Sequence, residues 1–246
     1  MEINKKIKKF FLSIGLDVKK YRPDTKHEVL FFRMLNEFDI NVIFDIGANE
    51  GQFGKSMREI GYTGRIVSFE PLTAAHQKLI TNSKKDKLWQ AAPQMAIGDM
   101  DGEIVINVAS NSESSSILDM LESHTDADES TAYIGNEKVR ISKLDSVYTD
   151  YVDSNSRIFM KIDTQGYEDK VLSGAKALLE KAVGLQLEAS LIPLYDNQKL
   201  FDEMIASLKK LGFEVWAITP LFSNVRTGRQ LQVDITFFRA PKMHNV

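Results

Sequence analysis

The chain has 246 residues, 43% hydrophobic and 26% charged, which suits one sizeable globular domain with or without appendages. Its net charge of −3 lacks the basic balance of a nucleic-acid binder, so no nucleic-acid partner is expected. With no cysteine, disulfides and thiolate metal sites are excluded, and a cytoplasmic location is the expectation.

No apolar run approaches the roughly 20 residues of a membrane span. The opening MEINKKIKKFFLSIGLDVKK holds a short apolar piece, Phe10 to Leu16, that runs into Asp17-Val18-Lys19-Lys20 without a small-residue cleavage site. No signal peptide is expected there. Read as a helix, Ile3, Ile7, Phe10 and Ile14 form one stripe, with Lys5, Lys6, Lys8 and Lys9 around the rest. Residues 1–20 then either rest on an anionic membrane or partner, or form a helix packed on the domain with solvated lysines. The packed helix is the expectation. Arg22-Pro23 breaks the segment, and Thr25-Lys26-His27-Glu28 has the form of a capping box, predicting a second helix from His27 to Phe38. Residues 1–40 read as a helical extension to a domain over 41–246.

From there strands and helices alternate. The pattern predicts a strand at Val42–Asp45, a helix at Gln52–Ile60, a strand at Arg65–Phe69 and a helix at Thr73–Asn82. Leu88 to Ile97 reads as one strand interrupted at Pro93, and Glu103–Ala109 alternates as a strand. Between about residues 110 and 136, Ser, Asp, Glu and Thr dominate. This polar insertion is too long for a connector and reads as a lid or substrate loop, with a helical turn around Leu118–Leu121. A short strand at Val139–Ile141 and an apolar one at Arg157–Asp163 follow. Then come one helix at Glu168–Lys181, a strand at Gly184–Ala189, a helix at Gln198–Leu211, and strands at Phe213–Ile218 and Leu231–Phe238. Such alternation implies a mostly parallel sheet with helices on both faces. The last two strands are joined by a loop alone, which allows one of them to be reversed.

In such α/β folds ligands bind at the carboxyl ends of the strands. Asp45 stands at one such end, and Gly47 and Gly51 let the chain turn tightly before a helix whose free N–H groups face the turn. The spacing Asp45-x-Gly47-x-Asn49-x-Gly51 departs from the dinucleotide fingerprint and places an acid ahead of the first glycine. A phosphate gains nothing from that carboxylate, whereas the amino group or sulfonium of S-adenosylmethionine is attracted by it. Glu70-Pro71 ends the second strand at the distance where an acid takes both hydroxyls of a ribose. Both features together favour an adenosyl cofactor without pyrophosphate; NAD stays open.

With those residues placed, the chain resembles the FkbM-type family of S-adenosylmethionine-dependent methyltransferases. The resemblance runs from Val42 to Arg239 through FDIGANEGQFG, VSFEPL, AIGDMDG, the serines of ESSSIL, ISKLDSV, FMKIDTQGYEDKVLSGA and GRQLQVDITFFR. The stretch Lys161-Ile162-Asp163-x-Gln165-Gly166-x-Glu168 is the most distinctive. The resemblance implies a Rossmann-like class I methyltransferase fold: a mostly parallel seven-stranded sheet with one antiparallel strand and helices on both faces. It implies O-methylation of a hydroxyl on a sugar, glycan or glycosylated metabolite. By position it puts Asp45, Gly47, Asn49 and Gly51 in the loop at the methionine side of the cofactor, and Glu70, followed by Pro71, at the ribose. Ala96, Ile97, Gly98 and Asp99 would lie near the adenine, with Ser115 and Ser116 lining the same pocket.

Methyl transfer from a sulfonium is an in-line displacement governed by alignment, and a hydroxyl acceptor benefits from a base. Lys161 and Asp163 alternate onto one face of their strand, and Glu188 occupies the comparable end of the next. If those strands are neighbours, Asp163 and Glu188 converge. Asp163 is then the expected general base, with Lys161 and Glu188 positioning it and the acceptor. Two other readings stand behind this one: an ion pair that only stabilises the sheet, and Mg²⁺ held by Asp163 and Glu188, which is not favoured. Gln165 and Tyr167 could contact the acceptor, and Glu168 would open a helix. The four histidines are scattered; His124 alone lies where the insertion could fold over the site. Trp216 is expected in core packing and Asp234 as a tie for the last strand. The competing functions are an NAD-dependent oxidoreductase and a non-catalytic scaffold that keeps the cofactor pocket.

Overall fold

The computed structural model describes residues 2–16 and 26–239, with side chains from Lys5 onward. Thr25, and with it the expected capping box, lies outside the described residues, as do Asp17–Lys20 and Arg22-Pro23. In chain order the helices are α1 (Glu2–Ser13), α2 (His27–Glu37), α3 (Gln52–Glu59), α4 (Thr73–Ser83), α5 (Glu122–Thr125), α6 (Leu144–Val147), α7 (Glu168–Ser173), α8 (Lys176–Lys181) and α9 (Phe201–Lys210). The strands are β1 (Val42–Ile46), β2 (Arg65–Phe69), β3 (Trp89–Ala91), β4 (Ala96–Gly98), β5 (Gly102–Ala109), β6 (Tyr133–Lys143), β7 (Ile158–Ile162), β8 (Gly184–Ser190), β9 (Phe213–Pro220) and β10 (Gln232–Arg239).

Seven strands form one sheet in the order β3-β2-β1-β7-β8-β10-β9. β1, β2, β3, β7 and β8 pair in parallel, and β10 runs antiparallel to both of its neighbours. The reason is visible in the residues. β1 reads VIFDI and β7 reads IFMKI, nearly continuous apolar runs of the kind a sheet covered on both faces requires. Alternation then sorts them. Ile43 and Phe159 point into one core with Phe31, Leu35 and Phe38 of the α2 region, while Phe44 and Met160 point into the other with Val171, Leu178 and Leu208. Turning from β8 to an antiparallel β10 also puts Asp234 opposite Glu188.

Four expectations are corrected. Leu88–Ile97 is not one interrupted strand: β3 belongs to the main sheet, whereas β4 joins β5 and β6 in a separate three-stranded sheet. The strand expected at Val139–Ile141 is the end of the much longer β6, so the last residues of the polar insertion are already paired with β5. The helical turn expected around Leu118–Leu121 comes one step later, as α5, while Met120 makes an isolated bridge to Tyr195. Glu168–Lys181 is two helices, broken at Gly174-Ala175. The break has a packing cause: a Cβ on Gly174 would stand 1.8 Å from the Gly98 carbonyl oxygen, so the backbone of the small sheet sits directly on that turn.

The N-terminal helix also departs from its expected packing. Its described side chains from Lys5 to Phe10 are exposed, and Phe10 and Ile14 are 62% and 57% open to solvent.

The Gly174–Gly98 contact yields a prediction. Gly174→Ala should lower stability by about 1–3 kcal/mol, the usual cost of overpacking a tight contact. The check is the urea midpoint; an unchanged midpoint would show that the turn between α7 and α8 can move away from the small sheet there.

Candidate functional site

A cavity of about 380 Å³ opens at the carboxyl ends of β1, β2 and β7, within the size range of small-molecule sites. Its near wall is the loop after β1. Gly47 has φ +78°, and a Cβ there would lie 1.8 Å from the Asp163 carbonyl oxygen, so only glycine lets the loop pass the end of β7. Gly51, at φ +88°, caps α3 against the Trp89 ring. Between them Asn49 adopts φ +46°, which aims its backbone N–H at Glu70.

Glu70 is nearly buried and accepts from two backbone amides, Asn49 N at 2.8 Å to Oε2 and Leu72 N at 2.8 Å to Oε1. Burial nonetheless pushes its carboxyl up to about 7, the two amides opposing the rise. Glu70, Pro71 and Asn49 all line the cavity. So do Ser115 and Ser116 of the insertion, which closes over the loop: Asn49 Nδ2 donates to Ser112 Oγ at 3.4 Å and Gln52 Nε2 to Glu113 Oε1 at 3.1 Å.

Other expected residues fall elsewhere. Asp45 is fully buried beneath the loop and forms none of the cavity wall; its Oδ2 accepts from Ser68 Oγ at 2.9 Å, and its Oδ1 lies 3.7 Å from Lys161 Nζ without a hydrogen-bond partner. Burial raises its carboxyl, with Lys161 and Ser68 opposing. Ala96 and Ile97 reach the wall, but Gly98 and Asp99 do not: Gly98 packs on Ile141 and Tyr167, and Asp99 pairs with Lys170 at 3.4 Å.

The far wall carries the second set. β7 and β8 are parallel neighbours, with Lys161 opposite Gln186 and Ile162 opposite Leu187, which brings Asp163 and Glu188 side by side. Gln165 joins them. Its Nε2 donates to Asp163 Oδ1 at 2.8 Å and to Glu188 Oε2 at 2.7 Å, so both amide hydrogens are used. Lys161 Nζ donates to Asp163 Oδ2 at 3.2 Å and to the Gly47 carbonyl at 3.4 Å. Burial works against the ammonium, but Asp163 and Asp45 overcome it and hold it above its ordinary range. Glu188 is driven the other way: burial, then Asp163, Glu168 and Asp234, raise its carboxyl well above the usual range. Among the described residues no group of three or more His, Asp or Glu side chains is set to hold a metal ion. The Gln165 amide and the Lys161 ammonium occupy the places between the carboxylates.

Three residues carry more than their sequence positions announced. Glu168 does open α7, yet its carboxylate is buried and clamps the preceding turn, accepting from Thr164 N at 2.9 Å and Gly166 N at 3.2 Å. Asp234 faces the acidic group across the sheet and is pushed up to about 7 by burial and by Asp163; an acid inside the apolar run of β10 was its signal. Tyr195, fully buried, donates from its hydroxyl to Gln165 Oε1 at 2.8 Å, and nothing in the sequence pointed to it. Tyr167 is buried in the core of the small sheet and is not on the wall. His124 is buried edge-on to the Tyr195 ring and beside Phe222, and burial lowers its imidazole to about 4, so it packs behind the site and does not line the cavity. Trp216, expected in the core, is instead 41% exposed, with its ring packed edge-on against Phe38 and Phe238.

Compared with known proteins, residues 45–215 match the family described as Methyltransferase FkbM domain. No curated protein matches the chain. Three solved structures give the scale of likeness. A precorrin-6y C5,15-methyltransferase from Geobacter metallireducens is 13% identical at a TM-score of 0.44, covering 90% of this chain and 93% of its own. An rRNA methylase from Streptococcus thermophilus is 11% identical at 0.46, covering 91% and 100%. Fibrillarin from Aeropyrum pernix, solved with natively bound S-adenosyl-L-methionine, is 10% identical at 0.44, covering 80% and 66%. Strand order, the reversed β10 and the family match together make this a Rossmann-like class I methyltransferase. Within that class the chain belongs to the FkbM methyltransferase family.

The clamp residue gives a pH prediction. Burial holds Glu168 at about 7 in the fold, against about 4.3 for a free glutamate. Between those values the folded protein keeps a proton the unfolded chain releases, so stability falls as pH rises through the window, by at most about 1.4 kcal/mol per pH unit for this one group. His124, lowered to about 4, acts oppositely between its unfolded value and 4, and is common to both proteins in the comparison. Glu168→Gln should therefore gain stability relative to the parent as pH rises from about 4.5 to 7. Urea titrations of both at several pH values test this; parallel curves would place the Glu168 proton elsewhere.

Proposed function

We propose that this chain transfers a methyl group from S-adenosylmethionine to a hydroxyl of a sugar, glycan or glycosylated metabolite. One observation carries the reading: Glu70 and Asn49 on one wall and the Gln165-bridged pair Asp163 and Glu188 on the other line a single cavity. The first wall fits the cofactor. Glu70 keeps lone pairs for a diol, and Asn49 Oδ1 is a buried acceptor with no protein partner, a place for a donor such as an ammonium or hydroxyl. Asp45, one layer deeper, contributes negative charge without touching the ligand. Gly47 and Gly51 shape the loop, and Ala96, Ile97, Ser115 and Ser116 form the side that would receive the base. The cofactor itself supplies an electrophilic methyl group.

The second wall fits the acceptor. Asp163, about a third exposed, is the carboxylate that an entering hydroxyl can reach. It accepts the hydroxyl proton, while Lys161 and Gln165 fix its two oxygens so that it presents its remaining lone pairs to the cavity. Glu188, raised well above the usual carboxylate range by burial and then by the neighbouring acids, resists carrying a second charge beside Asp163.

The test is calorimetry with S-adenosylhomocysteine and with NAD, followed by a methyl-transfer assay on glycosides. S-adenosylhomocysteine should bind and NAD should not; heat from NAD alone would overturn the reading. Glu70→Ala should weaken S-adenosylhomocysteine by about 1–3 kcal/mol through the lost charged hydrogen-bond partner. Asp163→Asn should retain that affinity and lose rate by about 100-fold or more. An Asp163→Asn enzyme with the parent's rate would remove Asp163 as the base, and cofactor binding without any transfer would leave only a scaffold.

A further inference from the structure

We infer that Tyr195 is a positioning residue whose hydroxyl sets which way the Gln165 amide faces, keeping both amide hydrogens on Asp163 and Glu188. The inference rests on the reading of those two carboxylates as the acceptor-side pair. A primary amide has two faces of similar shape, and turning it over would put its oxygen against two carboxylate oxygens now 2.7 and 2.8 Å from its nitrogen. The Tyr195 hydroxyl, 2.8 Å from Gln165 Oε1, supplies a donor that only the observed face can accept. A tyrosine buried beside Glu188 and Glu168 resists ionisation, so the donor persists at any working pH.

The ring is held for this task. It is fully buried; a Cβ on Gly166 would stand 2.9 Å from Tyr195 Cδ2, so the ring lies on the very turn that carries Gln165. Gln165 itself is fixed at φ +54°, and its carbonyl accepts from Ser116 Oγ at 2.6 Å. On its other side the hydroxyl reaches the Ser114 carbonyl at 3.2 Å, and Tyr195 bridges to Met120, so the polar insertion and the segment after β8 meet at this side chain. The groups facing Glu188 are Asp163 and Lys161 from β7, Glu168 from α7, Asp234 from β10 and the Tyr195 hydroxyl. The Gln165 amide donates to Glu188 directly.

Carboxyl-¹³C NMR titration of glutamate-labelled protein reads the consequence without any acceptor substrate. In Tyr195→Phe the amide oxygen loses its donor, the two carboxylates alone hold the amide, its N–H bond to Glu188 loosens, and the Glu188 titration should move up. S-adenosylhomocysteine affinity should stay within twofold, and in a methylation assay kcat should fall with its acidic limb displaced upward while the acceptor KM holds. Gln165→Met should displace Glu188 further in the same direction, and Tyr195→Phe added to it should change nothing more. An unmoved Glu188 in Gln165→Met overturns the inference even if Tyr195→Phe fails to fold, and full additivity of the two changes overturns it as well. A displaced Glu188 in a protein that methylates nothing would keep the positioning role and discard only the methyl-transfer reading.

A separate observation carries a second inference: we propose that α1 docks on an anionic lipid bilayer. A 12-residue helix is marginal in water by itself, and α1 leaves Ile7, Phe10 and Ile14 open to solvent along one side. Lys5, Lys6 and Lys9, all exposed, stand around the rest of the helix, on a chain whose net charge is −3. That is the charge pattern of an interfacial helix, apolar side down and ammonium groups at headgroup height. The full chain should co-sediment with phosphatidylserine–phosphatidylcholine vesicles, at least tenfold less with phosphatidylcholine alone, and at least tenfold less as Phe10→Glu. Equal sedimentation with both vesicles, none with either, or self-association that Phe10→Glu abolishes would each overturn the proposal.

Discussion

The buried Lys161 ammonium organises this site. It lies 3.2 Å from Asp163, 3.7 Å from Asp45 and 3.4 Å from the Gly47 carbonyl, so one cation ties the end of β7 to the loop after β1. A charge placed there is costly without partners. Its partners are acids that would be equally costly alone: Asp45, Glu70, Glu188 and Asp234 are all raised by burial, and the same ammonium opposes each rise. The expected alternatives of catalytic positioning and a structural ion pair are therefore not exclusive. The contact that ties β7 to the loop after β1 also fixes one oxygen of Asp163.

This arrangement explains why the two walls of the cavity differ. The wall that holds Glu70 is built mainly from backbone: Gly47 and Asn49 in left-handed conformations, and amides that fix Glu70. Such a surface changes little when side chains vary. The opposite wall is built from side chains that hold one another, from Lys161 through Asp163 and Gln165 to Glu188 and Tyr195. A chain of hydrogen bonds of this kind responds as a unit, since each member fixes the next. The polar insertion enters at both walls, through Ser112 and Glu113 on one and Ser114 and Ser116 on the other.

Much of this was legible in the residues. Continuous apolar runs marked β1 and β7, period-two alternation put Lys161 and Asp163 on one face, and the glycine spacing marked the loop. Glu70 could be placed at the cavity because the end of the second strand is marked by the local pattern alone. Misreadings arose where neighbours mattered. The Gly174 break depends on the Gly98 carbonyl, and the division of β3 from β4 depends on β6 claiming the latter.

The residues by themselves thus determined the layered α/β plan, the fold family and the list of groups able to do chemistry, because local periodicity and turn conformation depend on near neighbours in the chain. Only the tertiary structure decided that Asp45 turns inward instead of facing the ligand, that Gly98 and Asp99 leave the cavity, and that Tyr195 reaches Gln165 from 30 positions away. Alternation says which side of a strand a group occupies. It does not say which strand lies alongside, and the bonds from Gln165 to Glu188, from Tyr195 to Gln165 and from Asn49 to Glu70 run between segments that packing, not sequence order, brings together.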